Sequence, residues 1–167
     1  MFQFEQYFDE HDEAVFHFIY FLVGHKETAE DLTQETFLRA LKTPNYRGDA
    51  QVKTWLITIA RNTVYDFFRR KKLLKFVPFL AHNEKIDHTY TPENWLDKQS
   101  TAYVLYEALG NLKFEYREAI VLRKIEGFSI KETAHILQWS ESKVKNNTER
   151  GLKALRILLG GEWDEFR

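Results

Sequence analysis

Arg61, Tyr65 and Arg69 recur at four-residue steps, with Thr58, Asn62 and Lys72 on the same side of the turn they would form. Cations neutralise phosphates and aromatic rings stack unpaired bases, so this combination suits a nucleic-acid strand. The run Arg69-Arg70-Lys71-Lys72 extends the positive charge. A second set lies far along the chain, where Lys143, Asn146, Asn147 and Arg150 also fall on one side of a helical repeat. Lysine and arginine pair with guanine edges and asparagine with adenine, which is the chemistry of duplex readout. Each set has a plainer alternative. The first would be a core helix with a solvated basic end, and the second a helical hairpin with a polar face.

These side chains need rigid elements to position them, and the pattern between them is helical. From Val52 to Lys75 the residues Val52, Trp55, Leu56, Ile59, Ala60, Thr63 and Phe67 form an apolar stripe opposite the polar face. Upstream, residues 1–24 read as an amphipathic helix broken near Asp9–Glu13 and ended by Gly24. Thr28 is expected to cap the next helix, with Glu30 and Asp31 in its first turn and an end before Thr43-Pro44. Its inner side would be Leu32, Thr36, Phe37, Ala40 and Leu41, and Asp31, Gln34, Glu35 and Leu38 with Arg39 lie on another side. The loop 44–50 places Tyr46 and Arg47 ahead of the basic helix, where the pair could hold an unstacked base or simply pack locally. Periodicity fails over 77–98, which reads as a flexible linker.

Downstream, Tyr103, Val104, Tyr106, Leu109 and Leu112 give one helix. Phe114 to Ile125 gives another, with Ala119, Ile120, Leu122 and Ile125 inward and Gly127 closing it. Ser129 followed by Glu132 is a capping box that opens a short helix. A turn at Gln138-Trp139-Ser140 leads to a last helix capped by Ser140 and running to about Leu159. Two short helices across so tight a turn match a helix-turn-helix, with Ala134 allowing close approach and Val144 locking the second helix. Val144, Thr148, Gly151, Leu152 and Leu155 share its inner face.

Composition bounds the class. The 167 residues hold only 7 glycines and 3 prolines among long helical patterns, which points to an all-α protein of two small helical domains. The expected boundaries are 1–76, a linker 77–98 and 99–167, the second domain being a four-helix unit with the helix-turn-helix. A net charge of −1 conceals separated signs. Nine acids against Lys26 over 1–35 leave −8, and seven cations against Asp66 over 53–75 leave +6. Such separation fits a protein that meets two partners through different surfaces. No cysteine means no disulfide and no thiolate metal site. The acidic N-terminus shows no signal peptide, and the apolar run Val15–Val23 is too short to span a bilayer, so the expected location is the cytoplasm without membrane insertion.

Three segments together resemble one family, the bacterial RNA polymerase sigma factors of the extracytoplasmic-function class within the sigma-70 family. Asp31-Leu32-Thr33-Gln34-Glu35-Thr36-Phe37 resembles the segment that grips the clamp helices of the largest polymerase subunit. Thr54-Trp55-Leu56 with Ile59-Ala60-Arg61-Asn62 and Asp66 resembles the segment that melts and reads the −10 element. Tyr116-Arg117-Glu118-Ala119, Ile125–Ser129 and Val144-Lys145 resemble the domain that reads the −35 element. The resemblance implies a transcription initiation factor, not an enzyme, with no cofactor or metal. Its implied partners are core polymerase (clamp helices and flap), promoter DNA and an anti-sigma protein, which in this family is often membrane-bound. It assigns Asp31, Gln34, Glu35, Leu38 and Arg39 to polymerase. It assigns Tyr46, Arg47, Trp55, Arg61, Asn62, Tyr65, Arg69 and Arg70 to the −10 strand. Ser140, Lys143, Lys145, Asn146, Asn147 and Arg150 are assigned to the −35 duplex, and the linker would thread toward the active-site and RNA-exit channels.

Four positions depart from the family pattern. Lys113 stands where proline is usual, Gln138 where glycine often occupies the turn, Lys143 where threonine is commoner, and Gly151 where alanine is commoner. A stand-alone helix-turn-helix regulator would account for residues 100–159 but leave the Asp31–Glu35 surface and the Tyr65 face without work. For an enzyme, the six histidines show no HExxH or similar spacing, and no phosphate loop or nucleophile motif is present.

Overall fold

The computed structural model describes residues 2–43, 46, 51–75, 101–161 and 163. Arg47, the rest of the 44–50 loop apart from Tyr46, and the expected linker 77–98 lie outside the described residues. The helices belong to two separately packed units. The first holds α1 (Phe2–Val23), α2 (Lys26–Lys42) and α3 (Val52–Lys75). The second holds α4 (Thr101–Gly110), α5 (Phe114–Ile120) with a π-helical extension Val121–Ile125, α6 (Ile130–Leu137) and α7 (Glu141–Leu159). The all-α, two-domain expectation is met.

In the first unit all three helices pack on one another. The apolar run near the end of α1 supplies the centre, with Val15, Phe18, Ile19, Tyr20 and Leu22 almost wholly removed from water. Each such side chain contributes roughly 1.5–3 kcal/mol of transfer free energy, so this run is a core segment. Three buried threonines on α2 and α3 remain compatible with that core because their hydroxyls bond back one turn. Thr33 donates to the Ala29 carbonyl, Thr36 to Leu32 and Thr63 to Ile59, at 2.7, 2.7 and 2.9 Å.

Several details differ from the sequence expectation. Helix α1 runs unbroken through Asp9–Glu13. Most of these acids face solvent, no glycine or proline intervenes, and Gln6 Nε2 donates to Glu10 Oε1 at 2.9 Å along the surface. Helix α2 starts at Lys26 with extended His25 at its N-cap, so Glu27 rather than Glu30 and Asp31 occupies the first turn. Gly24, at φ 73°, ends α1, and the chain re-enters helix at once, which leaves Thr28 inside α2. Leu41 is 56% exposed, not inward. On α3 the buried line is Leu56, Ile57, Ala60, Val64 and Phe68, while Val52, Trp55, Ile59 and Phe67 are half-buried. Apolar residues occupy more than one line of this helix, and packing against α1 and α2 chose among them.

The second unit buries Tyr106, Leu109, Ile120, Val121, Leu122, Ile136, Leu137 and Val144. Its unusual core member is Arg117, which is 4% exposed. Burial pulls its pKa down to about 10, yet the guanidinium donates to the carbonyls of Leu109, Gly110 and Leu112 at 3.0, 2.9 and 3.2 Å. A cation there satisfies the last carbonyls of α4, which have no partner within their own helix. After Ile120 the helix widens, with Glu126 N–H reaching the Val121 carbonyl five residues back at 2.8 Å. The extra residue carries Ile125 out of register, so it is exposed rather than inward. Gly127 at φ 75° then reverses the chain, and Phe128 N–H closes onto the Leu122 carbonyl at 2.9 Å.

Candidate functional site

In the first unit the candidate residues fall on two outward faces. Asp31, Gln34 and Leu38 are exposed along α2, Leu38 at 55%. Arg61, Tyr65 and Arg69 form a line along α3, and the Arg61 guanidinium carbon lies 3.8 Å from the Tyr65 ring centroid. That stacking holds a cation and a ring side by side, as a sugar-phosphate strand with unpaired bases requires. Asn62 is exposed beside it and accepts from Arg61 Nη1 at 3.3 Å. Trp55 is half-buried against Tyr46, with ring centroids 4.9 Å apart, and Tyr7 meets Tyr46 edge-on at 6.5 Å. Tyr46 is therefore one member of an aromatic cluster of α1, the loop and α3, not a solitary exposed ring.

Between the two faces lies an ion-pair chain that the sequence reading did not assemble. Arg39 donates from Nε and Nη2 to Glu35 Oε1 at 3.1 and 2.5 Å, and from Nη1 to Asp66 Oδ2 at 2.6 Å. Asp66 Oδ1 accepts from Arg69, and Glu35 Oε2 meets Arg70 Nη2 at 3.4 Å. The Arg39 hydrogen bond, aided by the charges of Arg39 and Arg69, holds the Asp66 carboxyl below its ordinary value. The same bond holds Arg39 above its own. Arg39 and Glu35 thus face α3 and each other, whereas Asp31, Gln34 and Leu38 face outward. Asp66 is the group the sequence reading left without a role of its own. Its spacing from Arg69 and Arg70, three and four residues, was the available signal.

In the second unit the helix-turn-helix forms as expected. Ser129 accepts from Glu132 N–H at 3.1 Å and donates its own N–H to the Glu132 carboxylate at 2.8 Å. Gln138 takes the left-handed conformation at φ 56°, the one non-glycine residue with positive φ among the described residues. Trp139 N–H then bonds the Ala134 carbonyl at 3.0 Å, and Ser140 caps α7 by accepting from Lys143 N–H at 3.1 Å. Lys145, Asn146 and Arg150 are exposed on the outer side of α7. Glu141 and Ser142, in the first turn just after the Ser140 cap, are exposed with them.

Two predicted contacts sit differently. Asn147 is 8% exposed and its Nδ2 donates to the Lys143 carbonyl at 3.0 Å, so it faces inward instead of sharing the outer face. Lys143 is half-buried; its ammonium lies 4.2 Å from the Trp139 ring centroid and 3.0 Å from Glu115 Oε1. The inner face carries Gly151 where a side chain would crowd its neighbours. A Cβ there would lie 2.8 Å from Ile120 Cδ1 and 3.1 Å from Tyr116 Cβ. Among the described residues no three His, Cys, Asp or Glu side chains gather in a way that could hold a metal ion.

Known proteins share this arrangement. A family model of Sigma-70 region 2 matches residues 7–73, and one of Sigma-70 region 4 matches residues 103–155. The chain is 34% identical over 158 residues to the ECF RNA polymerase sigma factor SigX of Bacillus subtilis (strain 168), covering 92% of this chain and 81% of the relative. It is 32% identical over 165 residues to the RNA polymerase sigma factor YlaC of the same organism, covering 98% and 95%. Among solved structures, the sigma factor RpoE of Bartonella quintana, crystallised with the anti-sigma factor NepR, matches with a TM-score of 0.81 at 25% identity over 96% of this chain and 99% of that one. With both regions present in order, and a relative this similar over most of its length, the chain belongs to the sigma-70 family of RNA polymerase sigma factors, in its extracytoplasmic-function class.

Proposed function

We propose that this sigma factor divides promoter-directed initiation among three faces. The outward side of α2, with Asp31, Gln34 and Leu38 and with Glu35 at its margin, docks on core polymerase. The α3 face of Arg61, Asn62, Tyr65 and Arg69, joined by Arg70 and the Trp55–Tyr46 cluster, holds the non-template −10 strand. The outer side of α7, with Ser140, Lys145, Asn146 and Arg150, enters the −35 major groove, and Lys143 reaches DNA only beside Trp139 and Glu115. The corresponding division of the chain is 1–76, a linker 77–98 and 99–167.

The observation that carries this reading is the separation of faces on one three-helix unit. The exposed acid, amide and leucine of α2 and the stacked Arg61–Tyr65 line of α3 stand on different helices of that unit, with the Arg39–Asp66 and Glu35–Arg70 pairs between them. A regulator that needed only duplex DNA would have no use for either. The proposed location is the cytoplasm, where core polymerase works; no helix among the described residues is long and apolar enough to cross a membrane. An anti-sigma protein is a proposed partner, supported by the complex in which the similar RpoE was solved.

Transcription from a promoter library, run with and without core polymerase, tests the reading. Initiation only with both proteins, on a narrow −35/−10 pair, is the expected result. Tight sequence-specific duplex binding by the chain alone, with no initiation, would replace it with a plain regulator. Asp31→Ala should lower affinity for core while the melting temperature stays put; unchanged association would remove α2 from the polymerase interface.

A further inference from the structure

The ion pairs of the first unit run in one alternating chain, Arg70–Glu35–Arg39–Asp66–Arg69. Its two ends are cations assigned above to the promoter strand, and one of its inner acids belongs to the polymerase side. Arg39 sits at the centre, gripping both carboxylates, and its side chain is 34% exposed. The contacts are unequal. Arg39 holds Glu35 Oε1 at 2.5 Å and Asp66 Oδ2 at 2.6 Å, whereas Arg70 meets Glu35 Oε2 at 3.4 Å with its own side chain 59% exposed. The Arg70 contact is therefore the first to yield to a competitor.

We propose that this chain restrains Arg69 and Arg70 in the free protein, with Arg39 as the positioning residue at its centre, and that a cationic polymerase group reaching Glu35 displaces Arg70 and releases it to the promoter strand. The proposal rests on the assignment of Glu35 to polymerase and of Arg70 to DNA. The strand and the polymerase then assist each other, because a coupling between two sites acts equally in both directions. The effect is modest in size. Exposed ion pairs are weak, so releasing Arg70 strengthens strand binding by about 1.4- to fivefold.

Binding of the full chain to a fluorescent oligothymidylate, followed by anisotropy across a salt series, tests this directly. Glu35→Gln is expected to bind about 1.4- to fivefold more tightly, with a salt slope steeper by roughly 0.7 for one further phosphate-neutralising cation. Loss of fold would weaken binding, so misfolding cannot imitate that result. Unchanged affinity and slope overturn the proposal. Glu30→Gln makes the same charge change on the same helix, at an acid that pairs with Lys26 at 3.8 Å instead. An equal gain there would also overturn it, by tracing the effect to the general field. In the double variant with Arg70→Gln the gain should vanish, and its persistence counts against release of Arg70. Arg70→Gln alone separates the two levels. If it weakens binding while Glu35→Gln does nothing, only the coupling fails; if it has no effect even in the Glu35→Gln background, the assignment of Arg70 to DNA fails as well.

Discussion

Asn147 and Arg150 stand three residues apart on α7 and are built for different tasks. Asn147 spends its amide on the Lys143 carbonyl inside the helical surface, while Arg150 stands in solvent. Arg150→Ala should weaken promoter use by about 1–3 kcal/mol if the guanidinium reads a base edge. A loss equal on every sequence would mark a phosphate contact instead. Asn147→Ala should leave the −35 preference unchanged and lower stability by about 1 kcal/mol, the scale of one local hydrogen bond. Measuring both variants on the same promoter panel separates readout from helix support. Arg117 shows that a buried cation can have a structural task, because it binds two carbonyls at the end of α4 and that of Leu112 just beyond it.

At the level of elements, the helix-turn-helix depends on two backbone positions. Gln138 adopts a left-handed conformation that costs an L-residue roughly 1–2 kcal/mol. Glycine removes that strain but adds about 0.5–1 kcal/mol of chain entropy to be lost on folding. Strain wins, and Gln138→Gly should raise stability by about 0.5 kcal/mol or slightly more in a urea titration. Gly151 presents the opposite case. Alanine would gain about 1 kcal/mol of helix propensity, but its Cβ would fall 2.8 Å from Ile120 Cδ1 and 3.1 Å from Tyr116 Cβ. Overpacking of that kind costs about 1–3 kcal/mol, so Gly151→Ala should be net destabilising by about 1 kcal/mol. Combined with Ile120→Val, which removes Cδ1, the loss should fall below the sum of the single changes. Strict additivity would show that α5 and α7 shift apart instead of colliding.

For the molecule as a whole, charge is distributed for partners and for folding together. The acidic α1–α2 segment and the basic α3 belong to one packed unit, so their opposite signs stabilise the free protein as well as serving the separate partners proposed for them. Asp66 and Glu132 both have folded pKa values below their ordinary 3.8 and 4.5, Asp66 through Arg39 and Glu132 through the Ser129 backbone. A depressed folded pKa contributes stability above the unfolded value and loses it as pH falls through the folded one. The protein should therefore hold its stability above about pH 4.5 and lose part of it at lower pH. Asp66→Asn should flatten the part of that fall below about pH 4 in denaturant midpoints measured against pH. An unchanged acid limb would mean that the Arg39–Asp66 pair adds nothing to the fold.

Local sequence marked each helix and the helix-turn-helix, although it placed a break in α1 at Asp9–Glu13 where the helix is continuous. Those features follow from local rules: apolar periodicity, the Ser129–Glu132 capping box, the Ser140 cap and the glycine stops act within a turn or two. The outer positions of Asp31, Gln34, Asn146 and Arg150 were legible for the same reason. Packing settled what depends on neighbours from other helices. Which apolar line of α3 is buried was settled by α1 and α2, since Trp55 and Phe67 are as apolar as Val64 and Phe68. Two positions have a local cause instead: Ile125 was turned outward by the π-helical turn before it, and Asn147 lies on the buried side of α7 with Val144, Thr148 and Gly151. Arg39 looked like one more surface cation beside an acidic face. Only the approach of α3 to α2, across 27 residues of sequence, brought Asp66 to it and made it the centre of the ion-pair chain.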